Sequence, residues 1–326
     1  MHGKVITRFF RSKCARWLLS KHISVCFLTL SLFLPRFVGA EEEVQYPWLD
    51  DFHQGMSSSV HDTANWFDSF FASESSELTD SARGKARIQL AWEPRSRDII
   101  EFESRIRVNW KLPNLKNHVD VVFSDYDEEL EKAPVKAAQN EQLADQNRFN
   151  LALRWIRKSD EKSVWSHRIG VGRKLQPFAR SQYEHVFDLS DSHLLRTETS
   201  VYYYSSDGFG AHVGAQYEYG IDDTSVLRFD NNFYYRDDSK DWLWQHGAYS
   251  MSQLSEKSAL ICGFYIEGDS RPNYRVSEYL VSTRWRKSAL RTWLYFELEP
   301  FVLWKREEDF KPSYGIALRV EGFFGH

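Results

Sequence analysis

The charged residues that recur at every second position are the groups in this chain best placed for chemistry. Glu101, Glu103, Arg105 and Arg107 alternate with Ile100, Phe102, Ile106 and Val108. An extended segment here therefore carries carboxylates and guanidiniums on one face and apolar side chains on the other. The pattern returns with Arg154, with Arg168, with Arg180 and Glu184, and with Arg196 and Glu198. It continues through Arg228 and Asp230, Glu278 and Arg284, Glu297 and Glu299, and Arg319 and Glu321. Strands laid side by side would gather these groups on one common wall. Such a wall has two chemistries open to it: a polar passage for charged solutes, or a closed ionic network that fills the interior. Arg196 with Glu198 and Arg319 with Glu321 set opposite charges two positions apart, as either chemistry requires.

Other reactive constellations are weaker. His167 lies in Trp165-Ser166-His167-Arg168 and His193 in Ser192-His193-Leu194, neither with the serine and amide that a nucleophile and its base would need at fixed offsets. Asp125, Asp127 or Asp207 with His212 or His246 could form an acid–base pair, although solvated side chains are the commoner reading. Asp222-Asp223 and Asp237-Asp238 have the ligand type for calcium, yet acidic pairs in turns ordinarily bend the chain. The sequence contains no phosphate-binding or dinucleotide fingerprint and no His-Glu-x-x-His motif, so no cofactor and no metal site is expected. Gly170 and Gly172 sit within a strand pattern, where glycine marks a bend or a close backbone approach.

The positioning elements are strands. Ile88, Leu90 and Trp92 share one face of the first, with Arg87, Gln89 and Glu93 on the other. Further runs fall near residues 100–112, 119–123, 149–155, 164–174, 177–188, 193–204, 210–219, 225–236, 242–252, 257–267, 274–286, 291–304 and 313–324. Polar turns such as Ser206-Asp207-Gly208 and Gly268-Asp269-Ser270 separate them. The count is about fourteen, with 12 or 16 reached by merging or splitting one pair. Residues 125–146 are polar and acidic and read as a surface loop.

The N-terminus has the features of a secretory signal. Lys4, Arg8, Arg11, Lys13, Arg16 and Lys21 precede the apolar stretch 25–34, and Val38-Gly39-Ala40 offers small residues for cleavage after Ala40. Loss of residues 1–40 would change the net charge from −4 to −11, a poor match to nucleic acid. It would also leave Cys262 as the one cysteine, unable to form an internal disulfide. Residues 41–84 read as a segment with a short amphipathic helix, built on Val60, Ala64, Phe67, Phe70 and Phe71 behind Ser58 and Ser59, followed by a linker. Residues 85–326 form the strand-rich body.

The last strand places Tyr314, Ile316, Leu318, Val320, Gly322 and Phe324 on one face and the chain ends two residues later. This resembles the C-terminal signal of Gram-negative outer-membrane β-barrel proteins, whose final aromatic residue is read by the barrel-assembly machinery. Here Gly325 and His326 follow Phe324, a departure from that pattern. The resemblance covers about three quarters of the chain. It implies an antiparallel transmembrane β-barrel in the cell outer membrane, with outer-membrane lipid and the assembly machinery as partners and no nucleic acid. An aromatic content of 16% with a mean hydropathy of −0.54 agrees, since a barrel turns only alternate residues to lipid. A soluble β-sandwich is the structural alternative, disfavoured by the number of consecutive strands and the unusually charged polar face. Within the class, a passive channel for hydrophilic solutes or a structural barrel is expected. The alternatives are a hydrolase with a rim or lipid-facing site, and a partner-binding barrel using loop 125–146. The His-x-Ser-Asn-Gly signature of barrel phospholipases is absent.

Overall fold

The computed structural model describes residues 49–50, 52–54, 56–57, 83–97, 102–111, 119–124, 150–159, 162–172 and 175–325. Among them are fourteen strands: β1 Arg83–Trp92, β2 Phe102–Lys111, β3 Val119–Ser124, β4 Asn150–Ser159, β5 Ser163–Gly172, β6 Gln176–Ser190 and β7 His193–Tyr204. The series continues with β8 Gly208–Asp222, β9 Ser225–Arg236, β10 Asp241–Ser255, β11 Ser258–Asp269, β12 Arg275–Ser288, β13 Leu294–Lys305 and β14 Pro312–Gly325. Each strand pairs antiparallel with its sequence neighbours, and β1 closes the barrel on β14. Closure leaves no free edge, so every strand finds backbone partners on both sides.

Alternation decides which side chain faces where. On β14, Tyr314, Ile316, Leu318 and Val320 are exposed while Ser313, Ala317, Arg319 and Glu321 are buried. The exposed face is therefore the apolar one. The same inversion holds for Leu90, Ile106, Leu153, Ile169, Val201, Phe233 and Val281, and a water-soluble sheet would turn these inward. The inner face carries the alternating charges. This inside-out wall is that of a transmembrane β-barrel, and it removes the sandwich alternative. Gly170 marks the close approach expected of it, because a Cβ there would run into the Leu151 carbonyl.

The two rims differ. At the rim that holds the strand termini near residues 83 and 325, three hairpins turn through only two residues each: Asp191-Ser192, Asp223-Thr224 and Glu256-Lys257. Asp222 accepts the Thr224 N–H at 2.8 Å, so this acid bends the chain, as the turn reading had it. The longest connection, residues 125–149 between β3 and β4, lies at the opposite, far rim, while the near rim also holds the longer connections 112–118 and 289–293.

Closure between β1 and β14 is reinforced beyond its ladder. At the far rim Arg95 donates to Glu308 at 2.6 Å. At the near rim helical residues 49–50, 52–54 and 56–57 lie against the outer wall as a strap. Arg291 donates to both Asp50 oxygens at 2.5 and 2.6 Å, His53 meets the Phe323 carbonyl at 3.1 Å, and the Gly325 N–H donates to Ser57 at 3.0 Å. The Phe52 and His53 rings pack on Phe324, and His53 stacks on Trp293 at 4.5 Å. The helix expected over residues 60–71 lies outside the described residues, as does the leader. The helical residues that are described fall upstream of it.

Candidate functional site

The lumen wall divides into two unlike sectors. Strands β12, β13, β14 and β1 send a connected set of charges inward. Arg319 donates to Glu93 at 2.9 Å and to Glu299 at 2.5 Å, and Ser282 donates to Glu299 at 2.7 Å. Glu297 is paired with Arg284 and also lies 3.5 Å from Arg286. Arg286 in turn reaches Glu321 at 2.7 Å, and Glu321 is paired with Arg87 across the closure. Four carboxylates and four guanidiniums thus balance. The Arg319 and Glu299 side chains are 1% and 0% exposed, while Arg87 and Arg286 keep 23% and 28%.

Toward the far rim the same side of the barrel turns apolar groups inward. Tyr249, Tyr265, Leu280, Phe301, Leu303 and Ala317 form a buried cluster inside the wall. The Phe301 ring lies over Gly315 and the Tyr249 ring over Gly247, where a Cβ would strike each ring. Glycine here lets a large ring lie flat on the wall.

The opposite sector, β2 through β9, is richer in arginine and wetter. Register sets Arg154 opposite Arg168, and Arg168 opposite Arg180, so three guanidiniums stand at one level on adjacent strands. Asp120 flanks the row and accepts from Arg154 Nε at 3.1 Å, and Tyr202 ends it with Arg180 5.1 Å from its ring centroid. Nearer the termini, Glu184 and Glu198 face each other across β6 and β7. Gln182 donates to both, at 2.6 and 3.2 Å. His212, stacked on Tyr234 at 4.4 Å, lies 3.4 Å from Glu198. Arg228 donates to Asp230 at 2.7 Å. Arg196 is exposed to the lumen, Arg154 and Arg228 keep 19% and 16% side-chain exposure, and Arg105 and Arg107 are half-buried.

The alternating charges of the sequence are therefore brought to one wall but not to one cluster. Arg284, Glu297, Glu299, Arg319 and Glu321 join the closed network. Arg105, Arg107, Arg154, Arg168, Arg180, Glu184, Arg196, Glu198, Arg228 and Asp230 belong to the wet sector. Glu278 stands apart, opposite Glu267 and Lys305. Glu103 sits on β2 opposite Ala91, and Glu101 lies outside the described residues. Arg286, Gln182, His212 and Glu267 are lumen groups absent from the sequence-based set, although strand parity alone would have found them.

Among the described residues Asp207 meets neither His212 nor His246. Asp207 accepts from Gln176 at 2.8 Å, His212 faces Glu198 and Asn232, and His246 points outward with Asn231 at 2.9 Å. His167 lies on the outer face between Trp155 and Trp165, and His193 on the outer face against Tyr217 and Tyr219. Asp125 and Asp127 lie outside the described residues.

The fold and lumen define the class: a fourteen-stranded transmembrane β-barrel with a charged interior. No protein-family model and no curated protein matches the sequence. Several solved barrels are similar in structure. The outer membrane channel DcaP of Acinetobacter baumannii has a TM-score of 0.48 at 7% identity, with 78% of this chain and 100% of that one covered. OmpT of Vibrio cholerae gives 0.46 at 7%, covering 76% and 100%. OccK5 (OpdH) of Pseudomonas aeruginosa gives 0.45 at 8%, covering 75% and 98%. The inverted polarity of the wall, rather than these similarities, carries the class.

Proposed function

We propose that this chain is an outer-membrane barrel that passes hydrophilic solutes along the β2–β9 sector of its lumen, with a preference for anions. The lumen-exposed Arg196, with the half-buried Arg105 and Arg107 on the same wall, carries the reading. Guanidiniums that reach the water of a polar lumen attract mobile anions. Three two-residue turns at the terminal rim and the longest connection at the other match the asymmetry of periplasmic and extracellular ends. That asymmetry supports an outer-membrane site with the far rim outside. The exposed apolar wall supports outer-membrane lipid as its solvent, and Phe324 at the end of β14 supports handling by the barrel-assembly machinery. The secretory leader cleaved after Ala40 belongs to the same proposal.

Bilayer recordings test it. Folded protein should conduct, and Arg105→Glu with Arg107→Glu should move its selectivity from anions toward cations. Absence of conductance in folded protein would leave only a structural barrel.

A further inference from the structure

The outer face over β6 is not uniform. Along that strand the outward positions Ala179 and Ser181 are small, while the strands on either side carry large groups at the same levels. Register sets Ile169 and Tyr203 beside Ala179, and His167 and Val201 beside Ser181. The result is a furrow of about 540 Å³, within the range of small-ligand sites at roughly 300–1,000 Å³. Its near-rim end adjoins Trp165, whose indole N–H donates to Ser181 at 3.1 Å.

A cation stands at that end. A β-bulge between Ile156 and Lys158 leaves Arg157 unmatched in the ladder, and its side chain is exposed on the outer face, on the same parity as Leu153 and Trp155. Its guanidinium lies 5.5 Å from the centre of the Trp165 ring, and it has no carboxylate partner among the described residues. An arginine facing lipid costs about 2–4 kcal/mol at the bilayer midplane and about 0–1 near the interface. Arg157 is two residues from the end of β4 at the near rim.

We propose that this furrow seats one acyl chain of an anionic phospholipid, with the lipid phosphate held by Arg157. The small floor admits a chain, the flanking side chains confine it, and the cation sits where a headgroup of the near leaflet would lie. Arginine suits the phosphate because its planar fork presents paired N–H donors. This rests on the barrel standing in a membrane, not on whether its lumen conducts.

The test is native mass spectrometry of the folded full-length barrel, reconstituted with phosphatidylglycerol and then stripped in detergent. Wild type should retain one phosphatidylglycerol after bulk lipid is gone. Ala179→Phe, which fills the furrow from an exposed position, should abolish retention, and Arg157→Gln should weaken it roughly tenfold. Inorganic phosphate alone should not displace the lipid at equal concentration, because the acyl chain supplies part of the hold. Equal retention in wild type and both variants would overturn the site. So would displacement by phosphate, or a second copy of the chain found occupying the face instead. A wild type that fails to enter liposomes would remove the membrane reading as well, whereas insertion with undiminished retention in the variants removes the furrow alone.

Discussion

Two sectors of one lumen wall use the same side-chain types to opposite ends. In the β12–β1 sector Glu93, Glu297, Glu299 and Glu321 each stand next to an arginine, so charge is cancelled locally, and Arg319 and Glu299 are almost wholly buried. In the β2–β9 sector Arg154, Arg168 and Arg180 stand at one level on adjacent strands, and Arg196 is exposed to the lumen. Alternation alone does not choose between a filled barrel and a wet one. Cross-strand register chooses, because it decides whether neighbours at one level are of opposite or of equal sign.

The sharpest way to break this contrast is to remove one member of the closed network. Arg319→Ala leaves Glu93 and Glu299 buried without their main counter-charge and should cost about 3–5 kcal/mol, read as a lower denaturant midpoint of the folded barrel. The matching change in the wet sector, Arg196→Ala, should alter stability by no more than about 0.5 kcal/mol. If both variants lose equal stability, the sectors are not distinct.

Next in size is the apolar part of the closed side. Gly315→Ala drives a methyl group into the Phe301 ring and should cost about 1–3 kcal/mol, with the loss recovered in part when Phe301→Leu frees the space. Recordings on this pair should keep the wild-type ion preference, since Arg105, Arg107 and Arg196 are untouched.

The smallest effect is at the strap. Arg291 donates to the Asp50 carboxylate and holds its pKa below the ordinary value of 3.8. A depressed carboxylate contributes above its unfolded pKa and loses that contribution as pH falls through the folded value. Docking should therefore be constant from neutral pH down to about pH 4 and weaken only below it. Emission from Trp293, which His53 covers, reports the change, and Asp50→Asn should abolish its pH dependence. A transition near neutral pH would assign the strap to another group.

Strand number, strand order and the outward set of residues were legible in the sequence, because a period of two leaves a signature that survives without tertiary knowledge. Leu318 and Val320 could be placed outside, and Arg319 and Glu321 inside, from spacing alone. The grouping of the inward charges was not legible. Arg319 meets Glu93 only because β14 closes on β1, more than two hundred residues away in the chain. The inward Phe301 and Leu303 were hidden too. Val302 and Trp304 beside them are also apolar, so the run has no polar phase to reveal the lumen. His53 and Asp50 gave no signal, since their partners are a distant backbone carbonyl and a turn arginine.

The strap also carries information about time. His53 bonds to a carbonyl 270 positions later, and its ring rests on Phe324, so the contact cannot exist until the last strand is in place. Loop closure over such a span grows only slowly with length, but it cannot precede its own far end. The residues synthesised first in the described chain thus settle among the last, and their arrival marks a barrel that has finished closing.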